Sequence, residues 1–466
     1  MEKKELAYKR AYVWDKLNAD ERKDVMEMGE DYKAFLNEGK TERRCAAEII
    51  RRAEAAGFEC ICSKSSLKAG DKVYYNNRGK AVMLAIIGEE PIENGMNIVG
   101  SHIDSPRLDI KQNPVYEAGG TVLLKTHYYG GIKKYQWTAL PLAIYGVIVK
   151  ANGEKVEIAV GDGADDPVFY ITDLLPHLAK DQMSKNLAEG IEGENLNVLT
   201  GSLPVDDTEA SDRFKTALLN ILNERYGIEE EDFVSAELEA VPAGKARDVG
   251  FDRGLIAAHG HDDRVCSYAS LAAMLKVEKP ARTAVGLYVD KEEIGSVGAT
   301  GMHSQFFINM VGEIIALMNG RNCPDLAIRR ALAHSTLLSA DVAAAFDPNY
   351  PSVGDNANFA GIGQGIAMVK YTGSRGKSGA NDASAELVGK VRKLFNDHNV
   401  LYQTSELGKV DQGGGGTIAY ILANNDMDVI DAGVAMLSMH APWEIVSKAD
   451  VYMTNRAYYE FLVNYR

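Results

Sequence analysis

Cysteine is scarce in this chain. There are 5 among 466 residues, an odd number at irregular spacing, and only Cys60 and Cys62 lie close together. That excludes a secreted disulfide framework, and with no second cysteine pair it excludes a cysteine-based zinc site. The first ten residues, MEKKELAYKR, contain no apolar stretch, so no signal peptide is expected and the cytoplasm is the expected location. Long hydrophobic runs are missing too. The longest, Trp137 to Val149, is interrupted by Pro141 and Gly146 and falls short of the roughly 20 residues a membrane span requires. Basic residues are outnumbered, 51 against 66 acidic, and the net charge of −15 disfavours nucleic acid and anionic membranes as partners. Near 413–417 a GGGGT stretch lacks the following lysine and hydroxyl residue of a phosphate-binding loop, so nothing indicates a nucleotide enzyme.

What remains is an ordinary globular composition, with 46% hydrophobic and 25% charged residues. At about 100–200 residues per domain, the length suggests two or three units. Lys40 to Phe58 reads as a helix with Ala46, Ile49, Ile50 and Ala53 on one face. AVMLAIIG at 81–88 and MNIVGSHID at 96–104 read as buried strands. From Gly254 onward, GLIAAHG, VCSYASLAAML and TAVGLYVD alternate strand and helix. Ile314–Met318, Leu337–Asp341 and Gly365–Val369 look like further strands, and Leu387, Val391, Leu394 and Phe395 form a helical stripe. This rhythm predicts an α/β fold, with an open, mostly parallel sheet covered by helices. The stretch 106–248 differs. It carries short alternating runs, a hairpin signal at Asn152-Gly153 and one helix near 213–226, and reads as a β-rich unit inserted into an α/β domain formed by 1–105 and 249–466.

Open α/β sheets place their sites beyond the carboxyl ends of strands. Metal-assisted hydrolysis there needs nitrogen and carboxylate ligands, a carboxylate shared between paired ions, and a separate base. Five expected strand ends carry such residues. His102 and Asp104 are two apart in SHIDSPRLDIK and point to one face of a strand, so Asp104 can orient a ligating His102. A hydrogen-bonded core histidine is the plain alternative. Asp262 precedes a helix, where it serves either as a shared ligand or as a simple N-cap. Glu292 and Glu293 follow an apolar strand in YVDKEEIGS, and two adjacent carboxylates there are costly unless cations offset them or the turn is solvated. Asp341 and His440 each follow an apolar run.

The segments SHIDSPRLDIK, LKTHYYGGIKKYQW, LLPHL, DKEEIGS, SADVAAAFDPNY, GGGGTIA and SMHAPWE, in this order and spanning nearly the whole chain, resemble the M18 family of aspartyl aminopeptidases. The resemblance implies a zinc-peptidase type α/β domain with an inserted dimerisation domain. It implies two divalent ions per subunit, zinc before manganese or cobalt, one on His102, Asp262 and Asp341 and the other on Asp262, Glu293 and His440. Glu292 becomes the general base, Asp104 the orienter of His102, and His177 a residue that reaches a neighbouring subunit's active site. Peptides are the implied substrates, and a tetrahedral homododecamer the implied assembly. Lys370 matches a lysine of the family's substrate-contacting stretch, which favours acidic first residues, with a neutral or broader preference as the alternative. Several positions depart from the family pattern. Ala344 and Asp347 stand where members commonly have histidine, and Ala-Pro-Trp follows His440 in place of Ser-Ile-Arg. Two other readings are a two-metal deacylase of small amides and a shell protein that has kept its ligands without activity.

Overall fold

The computed structural model describes residues 6–375 and 377–466. A nine-stranded sheet forms its centre. From edge to edge the strands are Glu59–Cys60, Lys72–Asn77, Ala81–Ile86, Thr283–Val289, Met96–His102, Thr336–Ser339, Asp428–Gly433, Ile366–Val369 and Tyr402–Thr404. The four strands from Thr283–Val289 to Asp428–Gly433 run parallel, and antiparallel pairings flank them on both sides. The sheet is therefore mixed, with a parallel middle.

Helices explain its composition. Val82, Leu84, Ile86 and Val99 pack with residues of Glu42–Ala55, His261–Met274 and Lys448–Asn464, whereas Met83, Ala85, Ile98 and Val285 pack with Phe306–Met318 and Asp325–Ala333. With both faces covered, Ala81–Ile86, Met96–His102 and Thr283–Val289 are buried at every position and are largely apolar, without alternation. The expected strand at Ile314–Met318 is instead the end of the helix Phe306–Met318. A five-residue apolar window has no readable period; over the longer segment, buried Phe307, Val311, Ile314 and Ile315 recur at helical spacing.

A smaller five-stranded sheet joins Arg247–Val249, Leu255–Ala258, Glu444–Ser447, Ala435–Leu437 and Ala343–Ala344. The β-rich stretch closes on itself. Its ring runs Ala236–Pro242, Arg107–Ala118, Thr121–Tyr129, Val198–Gly201, Phe169–Tyr170, Pro141–Val149 and back to Ala236–Pro242, with Lys155–Val160 as the second arm of a hairpin. The barrel encloses its own core, including Leu108, Val122, Leu124, Leu142, Ile144 and Leu238. Closure is a finding the alternation alone did not reveal, because a barrel and an open sheet share the same period along each strand. Among the described residues, no helix is long and apolar enough to cross a membrane.

Candidate metal centre and active site

Three neighbouring parallel strands of the large sheet, Thr283–Val289, Met96–His102 and Thr336–Ser339, end along one edge, with Val289 opposite His102. Just beyond them lie Glu292 and Glu293, His102 and Asp104, and Asp341. The remaining two candidates come from the other sheet. Asp262 sits at the N-terminal end of His261–Met274, where its own backbone and that of Asp263 are non-helical, after Leu255–Ala258, and His440 follows Ala435–Leu437. The five expected strand ends therefore belong to two sheets, which meet over the site. Gly260 makes the turn into the helix at φ +75°, and a Cβ there would fall 2.0 Å from Arg264 Nη1. The Asp262–Asp263 peptide bond is cis.

Asp262 stands between the two histidines. Its Oδ1 is 3.2 Å from His102 Nε2 and its Oδ2 is 3.2 Å from His440 Nε2. Each histidine is held from its other ring nitrogen. His102 Nδ1 lies 3.1 Å from the Asp104 main-chain oxygen and 3.3 Å from Oδ1 of the same residue. His440 Nδ1 donates to the Gly131 carbonyl at 2.9 Å. A proton on Nδ1 leaves Nε2 free to ligate in both cases. Ligand atoms of His102, Asp262 and Asp341 lie within 4.8 Å of one another, as do those of Asp262, Glu293 and His440, so Asp262 belongs to both groups. Glu292 belongs to neither; its Oε2 is 3.9 Å from His102 Nε2.

The charges are those of a site built for cations. Burial, with Asp104 and Asp262 nearby, pushes the Glu292 carboxyl up to about 7. Burial next to Asp262 raises Glu293 well above the usual carboxylate range, and burial likewise raises Asp341. Burial works against charge on the histidines, yet Asp104 and Asp262 hold His102 well above its ordinary value, and Asp262 and Glu293 push His440 up to about 10. Glu293 Oε1 is buried with no hydrogen-bond partner. Nitrogen and oxygen donors, a shared carboxylate and an unpartnered ligand oxygen fit a pair of divalent ions.

Beside these groups opens a cavity of about 550 Å³, walled by Val342, Ala343, Ala344, Val369, Tyr371, Thr372, Ser405, Leu407, the glycines 414–416, Thr417 and Met439. No lysine or arginine is among its described wall residues. Lys370 lies between two of them in sequence, but its ammonium is bonded to Asp382 and sits 4.2 Å from the centre of the Tyr371 ring. His177 is exposed in the turn Pro176–Leu178 on the barrel and is not brought to this chain's own centre. Three contributors went unnoticed in the sequence. Glu444 accepts the backbone N–H of both Asp262 (3.1 Å) and His440 (2.7 Å). Tyr129 donates to Asp104 Oδ2 at 2.8 Å. Asp431, buried and pushed up to about 6 by that burial, lines the cavity. Glu444 and Tyr129 lie inside the SMHAPWE and YYGG segments; Asp431 sits within the strand Asp428–Gly433, with apolar residues on both sides, and carried no strand-end signal.

A mixed sheet with paired carboxylate and histidine groups at its strand ends defines the class of metallohydrolases to which the comparisons also lead. The sequence model described as Aminopeptidase I zinc metalloprotease (M18) matches residues 35–462, and the chain belongs to this M18 aminopeptidase family. It is an aminopeptidase, a hydrolase. A probable M18 family aminopeptidase 1 of Clostridium acetobutylicum is 54% identical over 98% of both chains, and its counterpart in Thermotoga maritima is 45% identical over 94% of this chain and 96% of that one. Among solved structures, the T. maritima M18 aminopeptidase superposes with a TM-score of 0.94 at 44% identity, covering 98% of this chain and 100% of the other. The S. cerevisiae mApe1 dodecamer shares the fold at a TM-score of 0.74 and 22% identity, covering 93% of this chain and 95% of that one.

Proposed function

We propose that this chain removes the N-terminal residue from peptides with two divalent ions, zinc foremost, one held by His102, Asp262 and Asp341 and the other by Asp262, Glu293 and His440. The observation that carries the reading is Asp262 turning one oxygen to each histidine, 3.2 Å away on either side. The chemistry such ions would supply is acidification of a water, toward a pKa of about 7 for zinc, and polarisation of the scissile carbonyl. Glu292, ligating neither ion, takes the proton and later delivers it to the leaving amine, a task suited to a carboxyl pushed up to about 7. Asp104 keeps His102 in its ligating orientation.

The cavity favours an uncharged first residue over an acidic one. Away from the ligand cluster its walls are alanine, valine, leucine, methionine, glycine and hydroxyl side chains with the buried carboxyl of Asp431, and the expected cation, Lys370, is engaged by Asp382. A panel of aminoacyl chromogenic substrates with free and acetylated amines tests both points. Turnover of alanyl or leucyl substrates above aspartyl ones, with no cleavage of acetylated forms, is the expected pattern. Equal cleavage of blocked substrates would indicate a deacylase, and an aspartyl optimum would return Lys370 to a substrate-binding role.

The stretches 1–105 with 249–466 act in this reading as the catalytic domain and 106–248 as the association domain of a homododecamer. The barrel's segment around His177 exposes Leu174, Leu175, Leu178, Met183 and Leu187, each at least half exposed, a surface that suits burial against another copy. His177 would thereby reach a neighbour's centre. The yeast relative noted above assembles as a dodecamer.

A further inference from the structure

In Thr121–Tyr129, buried positions fall at Val122, Leu124 and Thr126, inside the barrel, and the parity predicts Tyr128 inward and Tyr129 outward. Tyr128 is nevertheless 47% exposed and Tyr129 only 7%. The barrel's outer face is covered here by the catalytic half, and Tyr129 reaches into it.

Three consecutive residues then touch three parts of the metal centre. The Tyr129 hydroxyl donates to Asp104 Oδ2 at 2.8 Å. Asp104 is fully buried, and its carboxylate also accepts the backbone N–H groups of Glu292 (3.1 Å) and Glu293 (3.2 Å) and faces His102 Nδ1. Gly130, at φ +74°, passes so close that a Cβ would lie 3.3 Å from Glu293 Cβ and Oε2. The Gly131 carbonyl accepts from His440 Nδ1 at 2.9 Å. The tyrosine is itself clamped. Arg107, its cross-strand partner, lays its guanidinium 3.8 Å from the ring centre and is gripped by Asp109 on its own strand, by Glu239 on the strand that closes the barrel, and by Glu42 on a catalytic-domain helix.

We infer that Tyr129–Gly131 is a positioning strap through which the barrel sets the orientation of both metal-ligand histidines and of the Glu292–Glu293 turn. The inference rests on the two-ion reading above. Without the tyrosine hydroxyl, Asp104 Oδ2 keeps a single backbone donor, and the carboxylate that orients His102 and the base-bearing turn is free to shift. Groups in this outer position typically change metal affinity or activity about 10–100-fold. The strap gives the barrel a part in the chemistry besides association: a subunit whose barrel is misplaced keeps all five ligands and holds them badly.

The test uses the full-length protein freed of metal and titrated with cobalt(II), reading binding isotherm, visible ligand-field spectrum and, separately, kcat and KM. Tyr129→Phe should keep the wild-type circular dichroism and particle size, lose about 10–100-fold in cobalt affinity or kcat with little change in KM, and shift the cobalt bands. Gly130→Ala should perturb the ion that Glu293 holds and alter the stoichiometry or the second binding step. Tyr128→Phe, its exposed neighbour, should match wild type in every readout. Wild-type affinity, spectrum and kcat in Tyr129→Phe overturn the strap, as does an equal loss in Tyr128→Phe. A wild-type protein that takes up no cobalt removes the two-ion reading and the strap with it, whereas two ions bound equally well by wild type and Tyr129→Phe remove the strap alone.

Discussion

Ala81–Ile86 in the large sheet is buried at all six positions, whereas Thr121–Tyr129 in the barrel alternates buried and accessible residues as far as Thr126. The first strand has helices on both faces; the second has a core on one face only. The two halves thus treat the same backbone geometry differently, and each leaves its mark on composition. The α/β half packs its central strands between helices and gathers buried carboxylates and histidines at one strand-end cluster. The barrel has a smaller interior and leaves leucines on its outside at 174–187. A strand covered on both faces is apolar throughout, and one covered on a single face alternates.

The sharpest break in that division is chemical. Glu292→Gln in the α/β half should lower kcat by about 10²–10⁴ while metal content, read by elemental analysis, stays at the wild-type level. Unchanged turnover would take the proton-transfer role from Glu292. Next comes removal of metal. Chelation should abolish activity, zinc should restore it, and excess zinc should raise the melting temperature, since at 100 times Kd a ligand of the native state adds about 2.7 kcal/mol. His440 is pushed up to about 10 before metal arrives, so binding near neutral pH must displace its proton, and affinity should rise with pH toward that value. Calorimetric titration in two buffers of different ionisation enthalpy measures the release; a buffer-independent heat contradicts it.

Substitutions away from the centre should separate the halves further. Ile98→Ala beneath the site and Ile144→Ala in the barrel remove comparable buried side chains, and each should cost about 2–5 kcal/mol in denaturant unfolding. If the barrel serves association, Leu175→Asp with Leu178→Asp should reduce the particle size in sedimentation without unfolding the monomer. An unchanged size places the interface elsewhere. The smallest effect expected is that of Lys370→Ala, within about twofold on neutral substrates, because its ammonium is engaged by Asp382 in an exposed pair.

Legibility followed sequence range. The spacing of His102 and Asp104 announced their relation, and the histidine does lie against that aspartate, although the strand ends at His102 and Asp104 reaches it from the following turn. The helix Ala385–Asp397 was visible in Leu387, Val391, Leu394 and Phe395, all of them buried. Ile314–Met318 misled because its apolar run was too short to show a period. Lys370 drew attention by its place in a motif, but the neighbouring Asp382, which engages its ammonium, carries no signal in the chain. Tyr129 acts through a hydrogen bond to a residue 25 positions away, and Glu444 ties nearby His440 to Asp262, 182 positions away, a link no local pattern reveals.

By itself the chain dictated the kinds of ligand available and the apolar runs that must be buried, because side-chain chemistry and backbone period are local properties. Tertiary structure alone decided that two sheets share the centre, that the barrel closes, and that Asp262 faces a histidine with each oxygen. Those outcomes depend on pairings between distant segments, and their energies exist only once packing has excluded water and brought the partners within bonding distance.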